Sequence, residues 1–323
     1  MQNLSYQEAA DFLKTVEDAW ILIHQSPDGD AVGTGFALRY LLEAMGKRAR
    51  VVCPDEIPHR YDHITAPDVE FPAKTILSVD LADLSLLGAL REAFEGKIAL
   101  CIDHHVSNVN YADRLCLDAD ASAASEVLYE IIRETGVPMT EQMAACIYTG
   151  IATDTGCFKF ENATPRCHEI VAALKREFAL PYAKYNRELF DIKSRSRIQL
   201  ERRAIDLMEY HLDGRCTVIS ITKALQKELN VASDDFEGIT ALTLQTDGVE
   251  VGITIKEKED GLYKLSLRSA GDANVSRICQ TLGGGGHAKA AGCAIRSASL
   301  DEVKQSVVAA VAKELDAPRP ESE

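Results

Sequence analysis

Ile98-Ala99-Leu100-Cys101-Ile102-Asp103-His104-His105, residues 98–105, runs from five apolar residues straight into an acid and two imidazoles. A short apolar run bounded in this way reads as a buried strand, and the Asp103-His104-His105 triplet then sits at its carboxyl end. The pattern recurs upstream. Thr75-Ile76-Leu77-Ser78-Val79 ends on Asp80, and Trp20-Ile21-Leu22-Ile23-His24 leads into Gln25-Ser26-Pro27-Asp28-Gly29-Asp30. Residues 50–53 predict a further strand. Apolar residues at helical spacing intervene and follow: Ala37, Leu38, Leu41, Leu42 and Met45, stopping near Gly46; then Ala124, Val127, Leu128 and Ile131; then Met143, Ala144, Ile147, Tyr148 and Ile151. Strands alternating with helices predict an α/β fold with a doubly wound, mostly parallel sheet. Ligands of such sheets bind beyond the carboxyl ends of the strands.

Asp154, in Ala152-Thr153-Asp154-Thr155-Gly156, follows Ile151 and completes a set of four acids at the ends of elements: Asp28, Asp30, Asp80 and Asp154. Singly, each has a bland reading. Asp28-Gly29-Asp30 alone is a turn, His24 a core histidine, Asp80 a helix cap and Asp154 a helix end. Together, in one partly buried cleft, the four carboxylates would repel one another and lose hydration. Two divalent cations would balance them, and oxygen donors with a minority of imidazoles suit Mn²⁺, or else Mg²⁺. A phosphate-binding glycine loop at Gly33-Thr34-Gly35 is disfavoured, because the spacing departs from GxGxxG and two acids precede it.

The second half reads as a smaller α/β domain. Val249, Val251, Ile253 and Ile255 alternate with polar residues, as do Tyr263, Leu265 and Leu267, with Lys256–Gly261 as the turn. A helix with Val275, Ile278, Cys279 and Leu282 ends at Gly283-Gly284-Gly285-Gly286-His287. Arg268 falls on the polar face with Lys264 and Ser266 and can fork onto a phosphate. Gly284, Gly285 and Gly286 leave backbone amides open to a phosphate or base, and His287 adds a donor; the competing reading is a flexible connector beside a surface arginine. The expected organisation is residues 1–185 as the metal-bearing domain, 186–212 as a helical linker, 213–316 as the substrate domain and 317–323 as a disordered tail, with the active-site cleft between the domains. The basic residues Arg187, Lys193, Arg195, Arg197, Arg202 and Arg203 face either that cleft or solvent.

The chain has 323 residues, a net charge of −15 and nine cysteines without a CxxC pair. Scattered thiols in odd number fit a reducing compartment; with no apolar run approaching a membrane span and no secretory leader pattern at the start, the expected location is the cytoplasm. The acidity disfavours long nucleic acid as a partner but permits a short phosphorylated substrate held by metals and a few local cations.

Taken together the motifs resemble the DHH phosphoesterase superfamily, named for the triplet seen at Asp103-His104-His105, with a DHH-associated C-terminal domain of the first subfamily over Arg268 and Gly283–His287. Length and arrangement are nearest to its oligoribonuclease/pAp phosphatase branch. The resemblance implies that His24, Asp28 and Asp80 hold one metal and Asp30, Asp80, His104 and Asp154 the other, with Asp80 bridging. It implies that His105 meets the scissile phosphate, that Asp103 orients its neighbours, and that the protein is a homodimer. The implied activity is two-metal hydrolysis of short oligoribonucleotides, dinucleotides and pAp. Alternatives within the superfamily are a cyclic dinucleotide phosphodiesterase, an inorganic pyrophosphatase (whose C-terminal domain lacks the glycine run) and a longer single-strand exonuclease. A non-catalytic nucleotide receptor would be expected to carry degenerate metal motifs, and these are intact.

Overall fold

The computed structural model describes residues 2–316 other than 233, 237 and 260; the tail predicted to be disordered lies outside them. The chain divides into two compact units, the first ending at Ile192 and the second starting at Lys193.

The first unit holds β1 (Gln2–Asn3), β2 (Ala19–Leu22), β3 (Ala49–Val52), β4 (Thr75–Val79), β5 (Ile98–Asp103) and β6 (Arg114–Leu117) in one sheet of order β1-β6-β5-β4-β2-β3. Every pairing is parallel. β2 has β3 on one side and β4 on the other, so the chain reverses its direction of travel across the sheet there. Such a reversal opens a crevice at the carboxyl ends of the two strands concerned.

Its helices are α1 (Tyr6–Thr15), α2 (Gly29–Ala44), α3 (Arg91–Phe94), α4 (Ala124–Thr135), α5 (Glu141–Asp154), α6 (Pro165–Glu177) and α7 (Tyr182–Asn186). On one face of the sheet Ile21, Val51, Leu77 and Leu100 pack with Leu38, Leu41, Val127, Leu128 and Ile147. On the other, Leu22, Ile98, Cys101 and Leu115 meet Leu84, Leu87 and Phe94 from a shorter helical stretch. Burial of each such aliphatic side chain contributes about 1.5–3 kcal/mol, so the deeper helical layer anchors the unit. Asp28 caps α2, its Oδ1 accepting from the amides of Asp30 and Ala31; Thr140 caps α5 and Thr164 caps α6, with Pro165 in the first turn. Gly33 lies inside α2, where a Cβ would stand 2.6 Å from the carbonyl oxygen of Cys146 on α5. Glycine there lets two helices touch.

The second unit is built on β7 (Glu209–His211), β8 (Cys216–Ile221), β9 (Val251–Glu259), β10 (Leu262–Ser269), β11 (Gly285–Gly286) and β12 (Ala290–Arg296), in the order β11-β12-β10-β9-β8-β7. Only β8 and β9 pair in parallel. Its helices are α8 (Arg195–Asp206), α9 (Lys223–Glu228), α10 (Ile239–Leu242), α11 (Val275–Thr281) and α12 (Leu300–Leu315). Val251, Ile253, Ile255, Leu265 and Leu267 face α11 and α12. Ile219 and Ile221 face the other way, onto Leu200 and Ala204 of α8, Leu225 of α9 and Ile239 of α10. Residues 186–212, predicted as one helical linker, are thus divided: a π-helical turn at Arg187–Asp191 stays with the first unit and α8 is built into the second. The β9–β10 turn is tighter than the predicted one, because Lys256 to Glu259 still pair with β10. Among the described residues no helix is long and apolar enough to cross a membrane, and the nine cysteines are free thiols.

Candidate metal centre and phosphate-binding face

Three segments converge at the crevice. The segment after β2 brings His24, Asp28 and Asp30; the end of β4 brings Asp80; the end of β5 brings His104 and His105. The end of α5 adds Asp154. Their donor atoms fall into three overlapping groups, His24–Asp28–Asp80, Asp30–His104–Asp154 and Asp80–His104–His105, each with its atoms within 4.8 Å of one another. His24 Nε2 lies 3.7 Å from Asp28 Oδ1 and 3.7 Å from Asp80 Oδ2. His104 Nε2 lies 3.6 Å from Asp80 Oδ1, 3.6 Å from Asp154 Oδ2 and 4.0 Å from Asp30 Oδ2. These spacings are too long for hydrogen bonds. They suit donors sharing an ion, since metal–ligand bonds of roughly 2.0–2.2 Å set neighbouring donors roughly 3–4 Å apart.

Asp80 is the hinge of the arrangement. One of its oxygens faces the His24 group and the other the His104 group. It is 2% exposed, and Oδ1 is buried with no hydrogen-bond partner. An orphaned buried carboxylate oxygen is costly, and a cation is the partner its surroundings fit. The backbone of Asp80 is also in the left-handed region at φ 50°, uncommon for a residue with a Cβ.

The imidazoles are oriented from behind. His24 Nδ1 is 2.8 Å from the carbonyl of Gln25 and His104 Nδ1 3.2 Å from that of Ala121. A proton on each Nδ1, donated to the carbonyl, leaves the Nε2 lone pair turned into the crevice. His105 is held differently: its Nδ1 donates to Asp103 Oδ1 at 2.8 Å, leaving Nε2 outermost on a side chain that is 42% exposed. Asp103 itself is fully buried and also accepts from the amides of His104 and His105 and from Asn108 Nδ2. It is a member of none of the three donor groups and acts as a strut behind His104 and His105.

Electrostatics follow from the crowding. Burial, then the charge of Asp30, push Asp80 well above the usual carboxylate range. The same two causes lift Asp154 to about 7. Burial opposes charge on His24, but Asp28 and Asp80 outweigh it and carry the imidazole up to about 11. The hydrogen bond that His105 donates to Asp103 raises the imidazole to about 9 against the effect of burial. The metal-free site therefore holds protons where cations would sit.

Several supporting residues lie outside the sequence reading. Asp30 accepts from the amides of Ala124 and Ser125, at 2.6 and 3.0 Å, and from Thr34 Oγ1. It thereby caps α4, whose own N-cap residue is Ala123 and makes no side-chain cap. Gly150 makes room for this, since a Cβ there would stand 2.6 Å from Asp30 Oδ1. Asn162 donates to Asp154. Asn108, five residues past Asp103, carried a local signal; Ser125 and Gly150 meet Asp30 only through the packing of α2, α4 and α5.

In the second unit Arg268 lies on β10 between Gly252 and Ala290, an exposed side chain whose Nη1 donates to the carbonyl of Leu267. The glycine run is a hairpin strand rather than a loose connector: Gly285 and Gly286 pair with Gly292 and Ala291. Gly283 ends α11 at φ 79°. A Cβ on Gly284 would strike Gly292 and Cys293, and one on Gly286 would strike Ala291, whereas on Gly285 it would meet nothing. Gly285 alone of the four has no steric or conformational reason to be glycine. His287 is exposed in the turn, its amide donating to the carbonyl of Ala290.

Residues 18–151 match the DHH family, N-terminal domain, and residues 218–314 match the DHHA1 domain. A protein of Thermus thermophilus called bifunctional oligoribonuclease and PAP phosphatase NrnA is 30% identical over 95% of this chain and 93% of its own. The Bacillus subtilis protein of the same name is 24% identical over 85% and 88%. Among solved structures, an exopolyphosphatase-related protein from Bacteroides fragilis superposes with a TM-score of 0.85 at 23% identity, over 95% of this chain and 96% of that one.

Proposed function

This chain belongs to the DHH family, and on that premise we propose that it is a metal-dependent phosphoesterase that hydrolyses short oligoribonucleotides to mononucleotides and pAp to AMP. The observation that carries the proposal is Asp80, a buried carboxylate with one oxygen turned to each of two donor groups and Oδ1 otherwise unpartnered. His24, Asp28 and Asp80 would hold one divalent cation, and Asp30, Asp80, His104 and Asp154 the other. Mn²⁺ is the ion we assign, since the donors are oxygens with a minority of imidazoles. When bound, such a pair supplies an activated water and neutralises phosphoryl charge.

The chain's own groups do the rest. Asp28 and Asp30 are fixed by backbone amides and Asp154 by Asn162, so the site requires little reorganisation. His105, anchored through Nδ1 to Asp103, would turn Nε2 to an oxygen of the scissile phosphate and, when protonated, donate to it where charge develops. Arg268, His287 and the open backbone of Gly285 would bind a nucleotide of the substrate. As an expectation from the family, the active form is a homodimer.

The test is a substrate panel of pAp, pApA, longer oligomers, cyclic di-AMP and pyrophosphate with Mn²⁺. Release of AMP from pAp and pApA is expected, and Asp80→Ala should reduce it at least about 10²-fold, the scale of losing a key electrostatic group. Substantial Mn²⁺-dependent hydrolysis of pApA by that variant would overturn the assignment. Turnover of cyclic di-AMP alone would move it to the cyclic dinucleotide alternative.

A further inference from the structure

The second unit has a polar strip that its helices cover only in part. On β9, Thr254, Lys256 and Lys258 share one face; on β10, Lys264, Ser266 and Arg268 share the same one, with Lys264 opposite Lys256 and Ser266 opposite Thr254. The apolar residues between them are turned to α11 and α12. On the strip's own side, α8, α9 and α10 pack on β8, and α10 reaches over β9 to wall the strip with Ile239 and Thr240. Between them and the strip lies a depression of about 280 Å³, lined by Lys256, Lys258, Lys264, Thr254, Ser266 and Phe236.

Three features of this depression call for an anionic ligand. The groups acting on the Lys256 ammonium are burial and two further cations, Lys258 and Lys264, which together bring it down to about 8. None of the three lysines forms an ion pair with a carboxylate among the described residues, in a chain of net charge −15. The hydroxyl of Thr254, a residue 6% exposed, is buried without a hydrogen-bond partner. Like charges brought together around an unsatisfied hydroxyl are destabilising until an anion joins them. The ring of Phe236 has Lys256 Nζ 2.9 Å from its centroid and gives the depression an aromatic wall.

We propose that this lysine depression is a second phosphate subsite, which binds an internal phosphate of a single-stranded oligoribonucleotide whose terminal nucleotide is gripped at Arg268. The inference rests on the nucleotide phosphoesterase reading above. Arg268 and Lys264 are four residues apart on one strand, roughly 13 Å at about 3.3 Å per residue. A single nucleotide held at Arg268 does not span that distance, whereas a chain of several does. Lysine contacts to the backbone are independent of base sequence, and an aromatic wall accepts any base. The subsite would therefore select for length and not for sequence.

The experiment uses the full-length Mn²⁺-loaded protein and compares kcat/KM for pentaadenylate with that for pAp. In Lys256→Gln/Lys264→Gln the ratio should fall about tenfold, through KM for the pentamer, and Thr254→Val, which keeps the side-chain shape, should lower it less. Fluorescence anisotropy with a labelled phosphorothioate pentaadenylate should show weaker binding and a salt slope reduced by about 2, one for each lysine withdrawn from the phosphate backbone. An unchanged ratio with unchanged binding overturns the subsite, as does an equal loss on pAp and on the pentamer. If the wild-type protein hydrolyses neither substrate, the phosphoesterase reading fails, and the anisotropy still decides whether the lysines bind the oligomer.

Discussion

At the scale of single residues, the metal-free centre is a set of groups whose affinities for protons depend on one another's charge. Asp154 is carried from 3.8 to about 7, and Asp80 moves the same way. Between those limits the folded chain keeps protons that the unfolded chain has released, so metal-free stability falls as pH rises through that window. His24, moved from 6.5 to about 11, acts in the same sense at higher pH: the stability it contributes is complete below 6.5 and is lost as pH climbs toward 11. Metal-free protein should therefore melt at a lower temperature at pH 8 than at pH 6. The difference should shrink in Asp154→Asn and on adding Mn²⁺, as thermal unfolding followed by circular dichroism would show. A metal-free melting temperature that rises from pH 6 to pH 8 would refute the charge arrangement.

At the scale of elements, the centre depends on three helices meeting closely. Gly33 sits against the backbone of Cys146, which cannot move aside as a flexible side chain can. Gly33→Ala should destabilise the first unit by about 1–3 kcal/mol, the range for overpacking a filled core, measured by urea unfolding. The strands and the donors at their ends were legible in the sequence because an apolar run that stops at an acid is a local pattern. That pattern drew attention to His24, Asp28, Asp30, Asp80 and the Asp103-His104-His105 triplet, and a helix end added Asp154; the structure brings His24, Asp28, Asp30, Asp80, His104, His105 and Asp154 to one crevice. What holds them was not legible. Asp30 as the cap of a helix that begins 94 residues later is a long-range relation, invisible to spacing. The hairpin pairing of the glycine run was not legible, because four glycines in sequence say nothing of a partner strand; the structure gives Gly283, Gly284 and Gly286 steric or conformational duties and leaves Gly285 free. The division of residues 186–212 between the units was not legible for a related reason, since a charged amphipathic helix has the same sequence signature whether it bridges two units or, like α8, packs onto one.

At the scale of the whole molecule, the two units have separate hydrophobic cores, and the candidate metal ligands all lie in the first. A ligand that binds only the folded form stabilises by about 2.7 kcal/mol at a hundred times its dissociation constant. Calorimetry with and without a chelator should accordingly show Mn²⁺ raising the transition of the first unit and leaving that of the second in place. A uniform shift of both would mean that they unfold as one. The first sheet also carries an easily overlooked guard. The two residues of β1 run alongside β6, and the amide of Leu4 prolongs the pairing by donating to Leu115. Trimmed back to Tyr6, the chain would leave the outer backbone groups of Arg114 and Leu115 unpaired and make β6 the edge of the sheet, a template for stacking edge to edge with other molecules. The expected symptom is turbidity on concentration, in a protein whose chemistry is otherwise untouched.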